Sequence, residues 1–214
     1  LLLSSGSDMG IRSVFETFIG FGDKVLITQP NYAMFSVYNK MYGGIELAEW
    51  YKEDLSLDVD NLFKSLNSDV KLIIISNPSH TGKSINSNIL VEIIEKAEKN
   101  NALIFIDEAY FHFHNESMVN YIDVYKNLII TRTFSKAFGL ASLRIGLLIA
   151  NSDLINELYR VKLVHEITGV AAKIGSFILD NMHIVDNYVK DVNEGKEVLH
   201  ARLSKLDIET HKSD

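Results

Sequence analysis

The sequence predicts an α/β fold: a three-layer sandwich in which helices cover both faces of a mainly parallel β-sheet. Three observations lead there. Short apolar, β-branched runs alternate with helix-period segments through the first two-thirds of the chain, as in repeated strand–helix–strand units. Several runs, notably 71–76, 102–106 and 127–131, are apolar almost without a break, as strands buried on both faces must be. The 214 residues are 47% hydrophobic and 23% charged, enough apolar material for one sizeable core.

Taken in order, residues 1–4 read as the end of a strand. The turn at 5–11 leads into an amphipathic helix with Ile11, Val14, Phe15 and Phe18 on one face, and Ser7 or Asp8 is its expected N-cap. A turn at 20–23 precedes a strand at 24–28, and QPNYAMF (29–35) enters a helix. A strand at 45–50 and a short helix at 58–66 follow. The strand 71–76 exits through NPSHTG (77–82) into a helix at 85–100. The strand 102–106 ends in DEAY (107–110), followed by a polar-aromatic loop at 111–116. That loop carries His112 and His114, which lack a third metal ligand of suitable spacing. Strands at 127–131 and 145–150 flank a loop, and helices are expected at 153–163, 168–180 and 184–206. No repeat, low-complexity tract or long linker divides the chain.

Several function classes lose support from composition. A net charge of -7 disfavours a nucleic-acid or anionic-membrane surface. No apolar run reaches the roughly 20 residues needed to span a bilayer, and Leu1, Leu2 and Leu3 are too few for a signal peptide. The absence of cysteine excludes disulfides, thiolate metal sites and a cysteine nucleophile, and fits a reducing, cytoplasmic compartment. The chain opens without methionine in what reads as a strand, as a fragment of a longer protein would.

Chemistry gathers in residues 131–146, TRTFSKAFGLASLRIG. Lys136 sits where a parallel strand ends, the edge at which open α/β sheets bind ligands. The small hydroxyls Thr133 and Ser135 precede it and Arg144 follows. Lysine can condense with an aldehyde, and arginine offers a planar fork that grips phosphate. One loop therefore carries an amine nucleophile and an anion clamp.

This loop resembles the lysine loop of fold-type I pyridoxal-phosphate enzymes, among them the class I/II aminotransferases of the histidinol-phosphate aminotransferase type. Further motifs of that family appear in order. The resemblance implies a seven-stranded sheet with 145–150 antiparallel, and pyridoxal 5'-phosphate held by Lys136 as a Schiff base. Asp107 would keep the pyridine nitrogen protonated, and Tyr110 would hydrogen-bond the cofactor's phenolic oxygen. Gly6, Ser7, Asp8, Thr133, Ser135 and Arg144 would hold the phosphate end, and Tyr32 would stack on the ring. The family's Asn-Pro-x-Asn-Pro-Thr-Gly loop is one residue shorter here, which leaves Ser79 or His80 in place of the asparagine that meets the phenolic oxygen. Where the histidinol-phosphate group has a Tyr-x-Val-Asn stretch, this chain has HEIT (165–168). The difference points to an altered substrate pocket, with His165 a candidate contact.

The implied function is transfer of an amino group between an amino acid donor and a small, in some cases phosphorylated, keto acceptor, by a homodimer. Residues 1–183 would form the cofactor-binding large domain, and 184–214 a helix leading into a truncated small domain. A decarboxylase or lyase on the same scaffold is the nearest alternative. A second is a P-loop ATPase, because NPSHTGKS (77–84) ends like a phosphate-binding loop and LIFIDE (103–108) resembles a magnesium-holding strand. Lys83, Ser84 and Asp107 would serve it, although Asn77 and Pro78 depart from the pattern. A third is a domain that binds the cofactor without catalysis.

Overall fold

The computed structural model describes residues 1–206, 208 and 210–213. Seven strands form one sheet: β1 (Leu2–Ser5), β2 (Lys24–Gln29), β3 (Ile45–Trp50), β4 (Val70–Ser76), β5 (Leu103–Asp107), β6 (Leu128–Thr133) and β7 (Ile145–Ala150). Their order is β1-β7-β6-β5-β4-β2-β3. β7 pairs antiparallel with both of its neighbours, and the other pairings are parallel. The predicted α/β sheet and its antiparallel strand are both present. Among the described residues α1 (Gly6–Phe18), α2 (Met34–Met41), α3 (Val59–Ser65), α4 (Ser87–Lys99) and α5 (Phe111–His114) lie between strands, and α6 (Ser152–Leu158), α7 (Gly169–Leu179) and α8 (His183–Ser204) follow β7.

Strand alternation divides the apolar side chains between two cores. Ile73, Ile75, Ile104, Ile106, Leu128 and Ile130 face one side, where Leu62 of α3 and Leu90, Ile93 and Ile94 of α4 pack on them. Leu72, Ile74, Phe105 and Ile129 face the other, against Ile11, Val14 and Phe15 of α1 and Phe35 of α2. A third cluster joins Phe134 and Ala137 of the β6–β7 loop to Ala171 and Ile178 of α7 and Val185 of α8. Ile184, Tyr188, Val198 and Leu199 of α8 remain exposed.

Four local expectations are corrected. Helix α1 starts at Gly6, so the N-cap position is Ser5, which makes no side-chain capping bond, and Ser7 and Asp8 already lie in the first turn. The cause is Gly6, whose φ of +73° turns the strand directly into the helix. Residues 111–114 form a helical turn rather than a loop, closed by Asn115 with φ 64°. β6 continues to Thr133 because Arg132 and Thr133 keep pairing with Leu147 and Gly146. α6 stops at Leu158, and further on the Glu166 carboxylate, instead of a helical carbonyl, takes the Leu163 N–H at 3.1 Å.

Candidate active site

β1, β2, β4, β5 and β6 run in one direction and end at one edge of the sheet, and antiparallel β7 starts there. The loops leaving this edge converge on a cavity of about 160 Å³ that is lined by every residue expected to hold the cofactor except Gly6 and Ser79, with Ala109 as an added wall. A larger cavity of about 470 Å³ lies where α7 faces the β1–β7 edge, but its walls are mainly aliphatic and aromatic carbon. Convergent charged and hydrogen-bonding groups mark the smaller one as the site.

Alternation at the end of β5 sends two adjacent acids to opposite faces. Asp107 follows Phe105 to the cavity side. It is 4% exposed, and its Oδ1 accepts the Ala109 N–H at 2.9 Å. Burial pushes its carboxyl up to about 6, with Glu108 adding to the rise and the Ala109 N–H and Lys136 opposing it. Glu108 turns the other way, where Arg132 Nη2 lies 2.9 Å from Oε2 and the Met118 N–H donates at 2.8 Å. Burial also raises Glu108, against the pull of Met118 and Arg132.

The β6–β7 loop is fastened at several points. Phe134 N–H donates to Ile145 O, Leu140 N–H to Phe134 O and Gly139 N–H to Lys136 O, at 2.9–3.0 Å. Ser135 N–H donates to Thr133 Oγ1 at 3.1 Å, and Phe134 stacks on Phe138 at 4.3 Å. The lysine side chain rises from this framework, its Nζ 5.2 Å from the centre of the Tyr110 ring.

Arg144 closes the loop with φ 53°, and its carbonyl accepts the Gly6 N–H at 2.9 Å. This contact joins the arginine to the turn at the start of α1. Gly6 lies outside the cavity lining, behind the arginine: a Cβ there would come within 2.5 Å of Arg144 Nη2. Gly146 supports the same turn from beneath, since its Cβ would lie 2.3 Å from Ser7 N. Sequence reading gave Gly146 no task; nothing local distinguishes it from any glycine beginning a strand.

Opposite the lysine, Tyr32 O–H donates to Asp8 Oδ1 at 3.2 Å, and the ring lies parallel to His80, 8° between planes and 6.1 Å between centroids. His80 also meets Tyr110 edge-on at 5.8 Å. Desolvation, then the charge of Lys136, hold His80 below the usual histidine range. Ser79 faces elsewhere. It is buried, its hydroxyl shares a 2.6 Å hydrogen bond with Thr81 Oγ1, and its N–H donates to Lys83 O at 2.8 Å. Of the two residues, His80 lines the cavity and Ser79 does not.

The same loop does not wrap phosphate as a P-loop does. The Gly82 N–H is spent on Ser79 O and the Ser79 N–H on Lys83 O, while Asn77 Oδ1 takes the Ile85 N–H at 2.7 Å. These bonds turn two of the loop's amides and its asparagine back on the loop itself. His112 packs edge-on against Phe138 at 4.8 Å, and among the described residues no group of three His, Cys, Asp or Glu could hold a metal ion. In the stretch 165–168, Glu166 accepts the Ser5 N–H at 3.0 Å, at the end of β1.

The donor set fits pyridoxal 5'-phosphate. An amine suits its aldehyde, and a buried carboxylate suits a cationic ring nitrogen. A turn that opens on a glycine at the start of a helix, with an arginine fork beside it, suits its phosphate.

The sequence profile of the family "Aminotransferase class I and II" matches residues 1–214. The chain is 35% identical over 208 residues to the histidinol-phosphate aminotransferase of Thermoanaerobacter pseudethanolicus, covering 96% of this chain and 58% of that protein. It is 33% identical, with the same coverage, to that of Caldanaerobacter subterraneus subsp. tengcongensis. The chain thus spans 58% of the length of these relatives. In fold it is similar to the histidinol-phosphate aminotransferase from Clostridium acetobutylicum, with a TM-score of 0.87 at 23% identity over 95% of this chain and 61% of that one. A Thermus thermophilus aspartate aminotransferase double mutant gives 0.90 at 16% over 100% and 59%.

Proposed function

The chain belongs to the class I and II aminotransferase family, and on that premise we propose that the protein is a pyridoxal-phosphate-dependent transaminase. It moves an amino group between an amino acid and a small keto compound, of which histidinol-phosphate-type substrates are the first candidates given the names of its relatives. The observation that carries this reading is one cavity holding Lys136, the buried Asp107 and Arg144 together. The homodimer and cytoplasmic location implied by the resemblance belong to the same proposal. So does a division near residue 184, which the exposed apolar side chains of α8 support.

When bound, the cofactor supplies an electron sink that makes the substrate's Cα–H bond acidic. The chain's residues do the rest. Lys136 Nζ is the nucleophile that holds the cofactor and, once released, the base that accepts a proton and later returns it. Asp107, mostly ionised at neutral pH, balances a cation placed against it. Arg144 and the turn at Gly6 and Ser7 fix the phosphate end, which orients the reacting end relative to the lysine. Tyr32 and Ala109 wall the ring's space, while His80 and Tyr110 provide polar edges near the amine.

The test is to add pyridoxal 5'-phosphate, follow the visible absorption, reduce with borohydride and map the modified peptide. The label is expected on Lys136, and a label elsewhere overturns the assignment. Addition of single amino acids should then convert the unreduced, bound cofactor to its amine form; failure with every donor tried would reduce the function to cofactor binding.

A further inference from the structure

Asp8 occupies an awkward position for an acid. It lies in the first turn of α1, beside the turn assigned to the phosphate, where an uncompensated carboxylate repels an anion. Two phenols take up its charge. Tyr32 O–H donates to Oδ1 at 3.2 Å and Tyr38 O–H donates to Oδ2 at 2.9 Å. Tyr38 is 6% exposed and tilts against Phe15 at 6.2 Å, so it is anchored in the core behind α2. Tyr32, 36% exposed, meets the Phe35 ring at a right angle at 5.8 Å and lies parallel to His80. Its hydroxyl adds a polar tether to these ring contacts. Support runs from the core through Tyr38 to Asp8, and through Asp8 to the ring at the cavity wall.

We propose that Tyr38 and Asp8 are positioning residues: their hydrogen-bonded chain sets the plane of Tyr32 against the cofactor ring and keeps the Asp8 carboxylate turned from the phosphate turn. Burial and the carboxylate both raise Tyr32 and Tyr38 above the usual phenol range, so both remain O–H donors at neutral and mildly alkaline pH. Neither phenol needs to touch the reacting atoms. The inference rests on the pyridoxal-phosphate reading of the site.

The experiment compares the wild-type chain with Tyr32→Phe, Tyr38→Phe and the double variant, each loaded with pyridoxal 5'-phosphate. Two quantities are read: the visible circular dichroism per bound cofactor, which reports the asymmetry of the ring's surroundings, and the dissociation constants for pyridoxal 5'-phosphate and for pyridoxal. Each single variant should lose at least about half of the visible ellipticity and bind the phosphorylated form about tenfold more weakly, the size of one charge-assisted hydrogen bond. The double variant should be no worse than about twofold beyond either single one, because both cut the same chain. Asp8→Asn should lower the ellipticity too, yet shift preference toward the phosphorylated form, because it removes the charge. Wild-type ellipticity and affinity in Tyr38→Phe, or fully multiplicative losses in the double variant, overturn the network. A wild-type chain without visible absorption or borohydride label sinks the cofactor reading and this inference with it. A bound wild type with an indifferent Tyr38→Phe sinks this inference alone.

Discussion

Replacing Asp107 by asparagine should stabilise the cofactor-free protein while weakening its hold on the cofactor. Asparagine keeps the shape and can still accept the Ala109 N–H, but it carries no charge to desolvate. The carboxyl rises from 3.8 to about 6 on folding. Between those values the folded chain binds the proton that the unfolded chain has released, so stability falls as pH rises through the window and is lowest above it. At about 1.4 kcal/mol per pH unit, the ionised carboxylate costs the fold up to about 3 kcal/mol above pH 7. Water entry and movement of Lys136 reduce this, and about 1–3 kcal/mol is expected for Asp107→Asn at pH 8, roughly 2–12 °C in Tm for a chain of this size. Urea unfolding of both cofactor-free proteins at pH 4 and pH 8 measures it: the curves should nearly coincide at pH 4 and separate at pH 8. Cofactor titration at pH 8 should show affinity reduced by at least about tenfold, since a neutral amide cannot balance a ring cation. An Asp107→Asn protein no more stable than wild type at pH 8 would refute the claim that the cofactor-free protein holds a desolvated carboxylate at Asp107.

Three further outcomes follow from the same geometry. Lys136→Ala should abolish the borohydride-reducible label and leave the fold intact, as circular dichroism in the far ultraviolet would show, because the side chain is exposed and no core contact is lost. Gly146→Ala drives a methyl into the Gly6–Ser7 backbone, at 2.2–2.5 Å; overpacking should cost about 1–3 kcal/mol in urea unfolding and reduce the preference for pyridoxal phosphate over pyridoxal. Arg132→Met leaves the Glu108 side chain, 1% exposed, without its cation; about 3 kcal/mol of stability should be lost, more at high pH than at pH 5, with the visible spectrum of bound cofactor unchanged.

Much of the fold was legible because its signals are local. β-branched runs without polar interruption made β4, β5 and β6 readable as buried strands, and the lysine loop and DEAY carry their chemistry at strand ends where an α/β sheet exposes it. What escaped depended on contacts between distant segments. Ser7 and Asp8 look like N-caps until Gly6 turns the chain one residue early. Asp8 finds its partners in Tyr32, just before α2, and Tyr38 on α2, 24 and 30 residues away. The stacking of His80 on Tyr32 joins two separate loops, a contact that periodicity does not encode. Gly146 acquires meaning only once β1 and β7 lie side by side and the turn after β1 crosses above it. The bond between Glu166 and Ser5 likewise joins residues 161 apart in the chain.

The opposite facing of Asp107 and Glu108 makes strand β5 intolerant of any change in length. An inserted or deleted residue between 103 and 107 would exchange the two acids, aiming the longer Glu108 into the cavity and leaving Arg132 facing a side chain one methylene shorter. Point substitutions in β5 can be absorbed one at a time, whereas an indel would displace the acid of the site and loosen the Arg132 ion pair in the same event. Natural or laboratory variants of this chain should therefore vary in length in the loops that leave the sheet, and keep this five-residue strand in register.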